Sequence, residues 1–505
     1  MKDQRERRAK LNIIVSLLGQ FVTLACGLIV PRLLIGQFGS EAYGATTSIS
    51  QFLAYITLLE AGIGGVARSA LYKPLADGDM RQISAVVCEI KRFFRVIGYI
   101  FAAYVLVLAC TFQRIADVRC FDWLSTAALV VVISISTFAQ YFIGVSYAVL
   151  LQASQRTYIT TVISMAATVL NTVFIVFFAT RGFSLIIVKL ASSIVFALKP
   201  LAMWAYVGKH FQLVQVKERN PKLLEQKWNG LGQHLAFFLH SNTDIAVLTI
   251  LANLATVAVY SVYHMVVTQI QNVTTSFSAG MEAIFGDMLA KKEMDLLRRT
   301  FSYYETLLSV ISVILFSVTA VMIVPFIKLY TKGITDVNYI QPVFAILLVI
   351  ASLLYCLRIP YHALTIAAGH FRQTQLAAYG EAIINITVSI VLVIRFGLVG
   401  IAVGTVSAVL FRFFYYIYYL SRNIFFRQIW VSVKRIGVNG LTFALIAIGC
   451  GCFVSRIHIS TYVEWIACSV VVGFASVLIV LLSMYLFYRE DLAPVLNKVF
   501  RRKSR

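Results

Sequence analysis

The sequence predicts an all-α polytopic membrane protein, with two six-helix bundles related by an internal repeat and two further helices after them. Three observations predict it. The 505 residues are 60% hydrophobic and only 13% charged, a balance foreign to ordinary soluble domains. Apolar stretches long enough to cross a bilayer, ~20 residues each, recur about fourteen times and leave little chain over. The two halves of the chain also resemble each other segment by segment.

The elements follow in order. The charged opening MKDQRERRAK precedes an apolar run about twice the length of a signal-peptide core, so 11–37 is read as a retained first span. Spans over 43–70, 93–112, 124–151, 158–180 and 183–206 complete a first bundle within 1–208. The polar stretch 209–229, which carries Pro221, reads as a cytoplasmic linker. A second bundle occupies 230–421, with spans over 231–253, 257–284, 301–327, 341–368, 374–395 and 398–420. The remainder, 422–505, supplies spans over 436–454 and 462–487 and a basic tail.

The repeat is clearest between "LLQASQRTYITTVISMAATVLNTVFIVFFATRGFSL" and "LTIAAGHFRQTQLAAYGEAIINITVSIVLVIRFGLVG". At a constant offset Asn171 meets Asn385 and Arg181 meets Arg395, while Lys199 falls beside Arg412. An even number of spans in each half gives both halves one orientation, the parallel repeat of a transporter architecture.

A net charge of +22 would ordinarily raise nucleic acid as a partner. Here most basic residues cluster in alternate connections: the N-terminal tail, Lys73 to Arg95, Lys209 to Lys227, Lys291 to Arg299, Arg422 to Arg435 and the closing RRKSR. That is the positive-inside pattern. It places both termini in the cytoplasm of a multi-pass protein and removes any need for nucleic acid. The eight cysteines show no CxxC or His/Cys metal spacing and read as small hydrophobes, with Cys110 and Cys120 flanking one outer loop. Phosphate-binding loops, dinucleotide fingerprints and HExxH are absent from the sequence. Neither cofactor nor metal is expected, and no connection is long enough for the catalytic loop of a membrane polymerase or ligase. Nor does any segment resemble a channel's selectivity filter.

Ionisable groups within spans cost at least about 2.5–3.5 kcal/mol each at mid-bilayer, so each needs a reason. Arg68, Glu282 and Glu305 lie near cytoplasmic ends and read as interfacial, and His264 and His362 as packing residues. Asp244 stands in a polar run with His240, Asn242 and Thr243, which must face protein or water. Glu60 precedes Gly62, Gly64 and Gly65, where a helix can bend. Lys189, Lys199, Arg358 and Arg412 make the deep charges lean basic, and Arg358 and Lys199 each stand just before a proline. Cations held in low dielectric attract phosphate strongly. A structural ion-pair network is the competing reading of these groups.

The stretch "GLIVPRLLIGQFGSEAYGATTSISQFLAYITLLEAGIGGVARSAL" resembles the opening spans of Wzx-type polysaccharide/oligosaccharide flippases of the multidrug/oligosaccharidyl-lipid/polysaccharide exporter (MOP) superfamily. The matching residues are Arg32, Gly39 through Tyr43 and Gly44, Glu60 with Gly62, and Arg68. "SNTDIAVLTILANLATVAVYSVY" resembles the start of that family's second half through Asp244, Tyr260 and Ser261, although Leu254 to Val259 lacks the glycines usual there. The resemblance implies two bundles around a central cavity, and a non-enzymatic flippase of the bacterial cytoplasmic membrane. Its substrate would be undecaprenyl-pyrophosphate-linked oligosaccharide, moved from the inner to the outer leaflet by alternating access. On this reading Arg32, Lys189, Lys199, Arg358 and Arg412 line the pyrophosphate and sugar cavity. Glu60 and Asp244 couple an ion, H+ or Na+, or gate, and Asn171, His240, Asn242 and Asn385 supply polar lining. Membrane lipids, a polysaccharide polymerase and glycosyltransferases are the expected partners. The rival readings are a lipid II flippase of peptidoglycan synthesis and a multidrug or cation antiporter of the same superfamily.

Overall fold

The computed structural model describes residues 2–60, 63–214, 231–278, 280–425 and 427–488, the side chains of 2–7, 9, 10, 231–234, 236, 237, 240 and 241 apart. Gly62, the linker from 215 onward and the tail from 489 lie outside the described residues, and so does the side chain of His240. Among the described residues the secondary structure is helical, with no strand. Backbone groups in a bilayer must be satisfied internally, and a chain this apolar meets that demand with helices.

The chain divides into two compact units, Met1–Ala258 and Val259–Arg505. The first unit contains α1 (Lys2–Phe38), α2 (Ser40–Ala54), a 3-10 segment (Tyr55–Glu60), α3 (Ile63–Asp77) and α4 (Met80–Ile115). It continues with α5 (Trp123–Ala139), a π turn (Gln140–Gly144), α6 (Val145–Ala153), α7 (Thr157–Thr180), α8 (Leu185–His210) and α9 (Leu231–Leu251). Its core is one apolar cluster that includes Ile49, Phe101, Phe112, Leu150 and Val188. α4 is 36 residues long, ~54 Å at helical rise, which exceeds a ~30 Å hydrocarbon core, so one end projects beyond the bilayer.

α10 (Leu254–Ser276) runs across the division. The second unit then contains α11 (Met281–Ala290), α12 (Met294–Tyr330), α13 (Pro342–Ala367), α14 (Phe371–Phe396), α15 (Leu398–Asn423), α16 (Ile429–Val454) and α17 (Tyr462–Phe487). The two last helices pack on α12. Val321, Met322 and Leu329 meet Val454, Ile459 and Val472, and the Trp465 indole donates to the Met322 carbonyl at 3.0 Å. A capping box between Thr461 and Glu464 starts α17.

Among the described residues eleven helices are long and apolar enough to cross a membrane, or twelve if the bent pair Ser40–Glu60 and Ile63–Asp77 counts as one span. The helices at the expected seventh and eighth spans, α9 and α10, are not among them. Of α9 only Asn242–Leu251, a shorter apolar helix, counts here, and in α10 Thr268, Gln269, Gln271, Asn272 and Thr274 lower the hydropathy.

Two glycine contacts set how closely helices approach. A Cβ on Gly44 of α2 would lie 1.8 Å from the Leu254 carbonyl oxygen, so only glycine fits between "FGSEAYGA" and the start of α10. Gly400 and Gly404 of α15 form a small-xxx-small seam against α14, where a Cβ on Gly404 would lie 2.2 Å from Ser389 Oγ. Gly404→Leu is therefore expected to destabilise the protein by about 1–3 kcal/mol through overpacking. Thermal unfolding of the purified variant checks this, with Gly449→Ala, whose Cβ would meet nothing within 4 Å, expected to leave the midpoint unchanged.

Candidate functional site

The close α14–α15 pair brings Glu381 and Arg412 together, and α13 adds Arg358. Glu381 is fully buried and takes one arginine on each carboxylate oxygen: Arg358 Nη1 at 2.5 Å from Oε1, and Arg412 Nη1 on Oε2. Arg412 also donates to the Tyr416 hydroxyl at 2.9 Å, and Arg358 lies over the Tyr355 ring. At 4–5% exposure, neither guanidinium could sit at this depth without a partner. The three groups carry one net positive charge, less than a count of deep cations gives.

A second cluster of the same composition joins α12 to α16. Glu305, expected at an interface, is only 4% exposed. It accepts from Arg435 at 2.6 Å, from Arg427 at 3.3 Å and from the Tyr361 hydroxyl. Arg435 also donates to Ser302 Oγ at 2.7 Å. Tyr361 stands three residues after Arg358, so one turn of α13 carries a side chain into each cluster. The two clusters are thus built on successive positions of α13.

In the first unit the expected second span is bent. It passes from α2 through the 3-10 segment into α3 with a bend of 48°. Glu60 ends the 3-10 segment and accepts from the hydroxyl of Tyr141, which lies in the π turn between α5 and α6. A 3-10 stretch inside one span facing a π turn in another is backbone of adjustable geometry, of the kind found at functional sites. Upstream, α2 holds α9 by polar contacts: Ser48 Oγ to Thr249 Oγ1 at 2.7 Å, and Gln51 Nε2 to Asn242 Oδ1 at 2.8 Å. Asp244 is buried on that same helix, 7% exposed, beside Thr243, whose hydroxyl returns to the Leu239 carbonyl.

The other expected residues are spread. Arg32 is half-buried on α1, one residue after Pro31. Lys189 and Lys199 are half-buried on α8, and among the described residues neither has a carboxylate partner; Lys199 lies 5.6 Å from the Phe196 ring. Asn171 on α7 and Asn385 on α14, equivalent in the repeat, are both buried with the amide oxygen unsatisfied. Asn385 donates weakly to Thr405 at 3.4 Å. His264 stacks on Tyr260, and His362 meets Tyr416 edge-on, as packing residues do. None of the eight cysteines is in a disulfide, and Cys356 is buried. In the loop between α4 and α5, burial and the nearby Glu41 carboxylate push the Cys120 thiol up to about 12. Among the described residues no three His, Cys, Asp or Glu side chains are grouped to hold a metal.

Glu381 and Tyr141 are the partners that sequence reasoning left unassigned. A lone acid in an apolar span signals Glu381, but nothing signals Tyr141 without the π turn. Glu381→Gln leaves two buried arginines sharing a neutral amide and is expected to destabilise by about 3–5 kcal/mol. The unfolding midpoint of the purified variant checks it, and a shift no larger than that of an exposed Glu→Gln change would contradict it.

No protein-family model and no curated protein sequence matches the chain. Its fold is nevertheless shared with solved structures. It is similar to the lipid II flippase MurJ in an inward closed conformation, at TM-score 0.70 and 12% identity, over 95% of this chain and 99% of that one. A MATE-family multidrug transporter of the MOP superfamily, facing inward, is similar at TM-score 0.60 and 13% identity, over 82% and 98% of the two chains. A MOP-superfamily transporter from Pyrococcus furiosus is similar at 0.55 and 14%, over 83% and 96%. The chain therefore has the all-helical fold of MOP-superfamily transporters.

Proposed function

We propose that this chain is a flippase that moves undecaprenyl-pyrophosphate-linked oligosaccharide, the repeat unit of a polysaccharide, from the inner to the outer leaflet by alternating access. The observation that carries the reading is the pair Lys189 and Lys199, cations inside a span with no carboxylate partner among the described residues. Uncompensated cations at membrane depth suit a pyrophosphate far better than they suit a cationic drug. Arg358 and Arg412 contribute through the single surplus charge of their cluster with Glu381. Arg32 and the amides of Asn171, Asn242 and Asn385 are assigned to the sugar or pyrophosphate path, and His240 is kept in that set from the sequence alone.

Energy would enter through a coupled ion, H+ or Na+, with Glu60 and Asp244 as the groups that respond. Glu60 is suited to this because its hydrogen-bond partner, Tyr141, is neutral, and because it sits at the bend of a span. The reading places the protein in the bacterial cytoplasmic membrane with both termini inside. A polymerase and glycosyltransferases would act on either side of the transport step. The 1–208, 230–421 and 422–505 division belongs to the same proposal. A lipid II flippase is the second reading, favoured by the length over which the MurJ fold matches, 95% of this chain against 82% for the MATE structure.

Cells lacking the protein are expected to accumulate lipid-linked oligosaccharide on the cytoplasmic face, resolved with an impermeant sugar-modifying probe. The Lys189→Gln, Lys199→Gln double variant is expected to restore export at under about a tenth of the wild-type rate, since each removes a charge-assisted contact. Normal export in the deletion strain, with new sensitivity to cationic dyes, would overturn the proposal. In the same cells Glu60→Gln and Asp244→Asn are expected to slow export and flatten its dependence on the ion gradient. Unchanged export in both would remove the coupling role.

A further inference from the structure

One end of the first unit holds a cavity that the transport reading does not use. It has a volume of about 750 Å³ and lies between the start of α4, the end of α8 and the strap 211–214. The strap is held shut on both sides: Val214 N–H donates to Ser84 Oγ at 3.0 Å, and the Arg156 guanidinium lies over the Phe211 ring. Two cations face the space, Lys91 and Arg92. Lys91 Nζ donates to the buried Tyr147 hydroxyl at 2.6 Å and lies 4.3 Å from that ring's centre, which orients the ammonium and leaves two of its three N–H groups for a ligand. Arg92 is set in place by Glu89 at 2.7 Å. Trp204, 55% exposed, forms the rim.

The position of the cavity is informative. α4 is longer than a bilayer, and Lys91, Arg92 and Arg95 mark where it leaves its polar first turns for an uninterrupted apolar run. Trp204 stands six residues before the end of α8, where an amphipathic ring suits the headgroup layer. A walled basic cavity between spans, opening beside an interfacial tryptophan, has the chemistry of a lipid phosphate site.

We infer that this cavity binds the phosphate headgroup of an anionic glycerophospholipid from the surrounding leaflet, with Lys91 and Arg92 on the phosphate and Trp204 against the glycerol and upper acyl chain. The site does not depend on which lipid-linked substrate is transported. The test is thermal unfolding of the purified full chain in neutral detergent, with added phosphatidylglycerol, phosphatidylcholine or inorganic phosphate. Phosphatidylglycerol is expected to raise the midpoint, with phosphatidylcholine and inorganic phosphate having little effect. The Lys91→Gln, Arg92→Gln double variant is expected to bind phosphatidylglycerol about tenfold more weakly, as loss of charge-assisted bonds implies. Tyr147→Phe, which keeps the cation and the ring, is expected to retain the lipid effect and guards against a variant that is simply misfolded. Equal stabilisation of wild type and double variant would overturn the inference. So would an equal effect of inorganic phosphate, which would assign the site to the free anion, or loss of the lipid effect in Tyr147→Phe, which would assign it to packing.

Discussion

Glu381 is the constraint on which the second unit is built. A carboxylate sealed among apolar helices would not stay ionised alone, and neither would Arg358 or Arg412. Each is tolerable only because the others are within reach, and that fixes the rotation of α13, α14 and α15 about their axes. The glycine seam at Gly400 and Gly404 brings the α14 and α15 backbones close enough for the bridge to form. The Glu305 cluster applies the same logic between α12 and α16, so the two C-terminal helices are tied to their unit by ions as well as by the apolar seam at Met322 and Val472.

The first unit is organised differently. Its apolar core is continuous, but the second span is interrupted at Tyr55–Glu60 and the helix opposite carries a π turn at Gln140–Gly144. One hydrogen bond, Tyr141 to Glu60, joins the two irregularities. Where the second unit is cross-linked by buried charge, the first keeps backbone whose geometry can change and keeps cations, Lys189 and Lys199, that no described carboxylate neutralises. The adjustable span and the cations without a described carboxylate thus belong to one unit, and the buried ion clusters to the other.

Much of this was legible in the sequence, for reasons that differ by residue. Hydropathy identifies spans because a bilayer demands long apolar runs, so the all-helical class and the final two helices follow from it directly. The same criterion leaves α10 short, since its run of Thr, Gln and Asn residues dilutes the apolar signal. Arg358 and Arg412 were identifiable as buried cations, but not as partners of one acid. Pairing depends on which helices adjoin and how each is rotated, and a sequence of apolar runs holds little of either. Glu305 read as interfacial because it lies near a span end; Arg435, 130 positions away, is what draws it inward. Tyr141 was beyond reach altogether, because a π turn shifts the face of every later residue without any mark in the composition. Gly44 shows the reverse case: the glycine was visible in a motif, and its reason, the Leu254 carbonyl, appears only in the fold.

The most direct test of the account is transport by the purified protein in sealed vesicles. A lipid-pyrophosphate-linked oligosaccharide would be placed in one leaflet and its arrival in the other followed with an impermeant probe, beside uptake of a cationic dye. The account predicts that the anionic lipid crosses in a protein-dependent manner and the dye does not. Dye movement without lipid movement would contradict it, and would return Lys189 and Lys199 to a structural role.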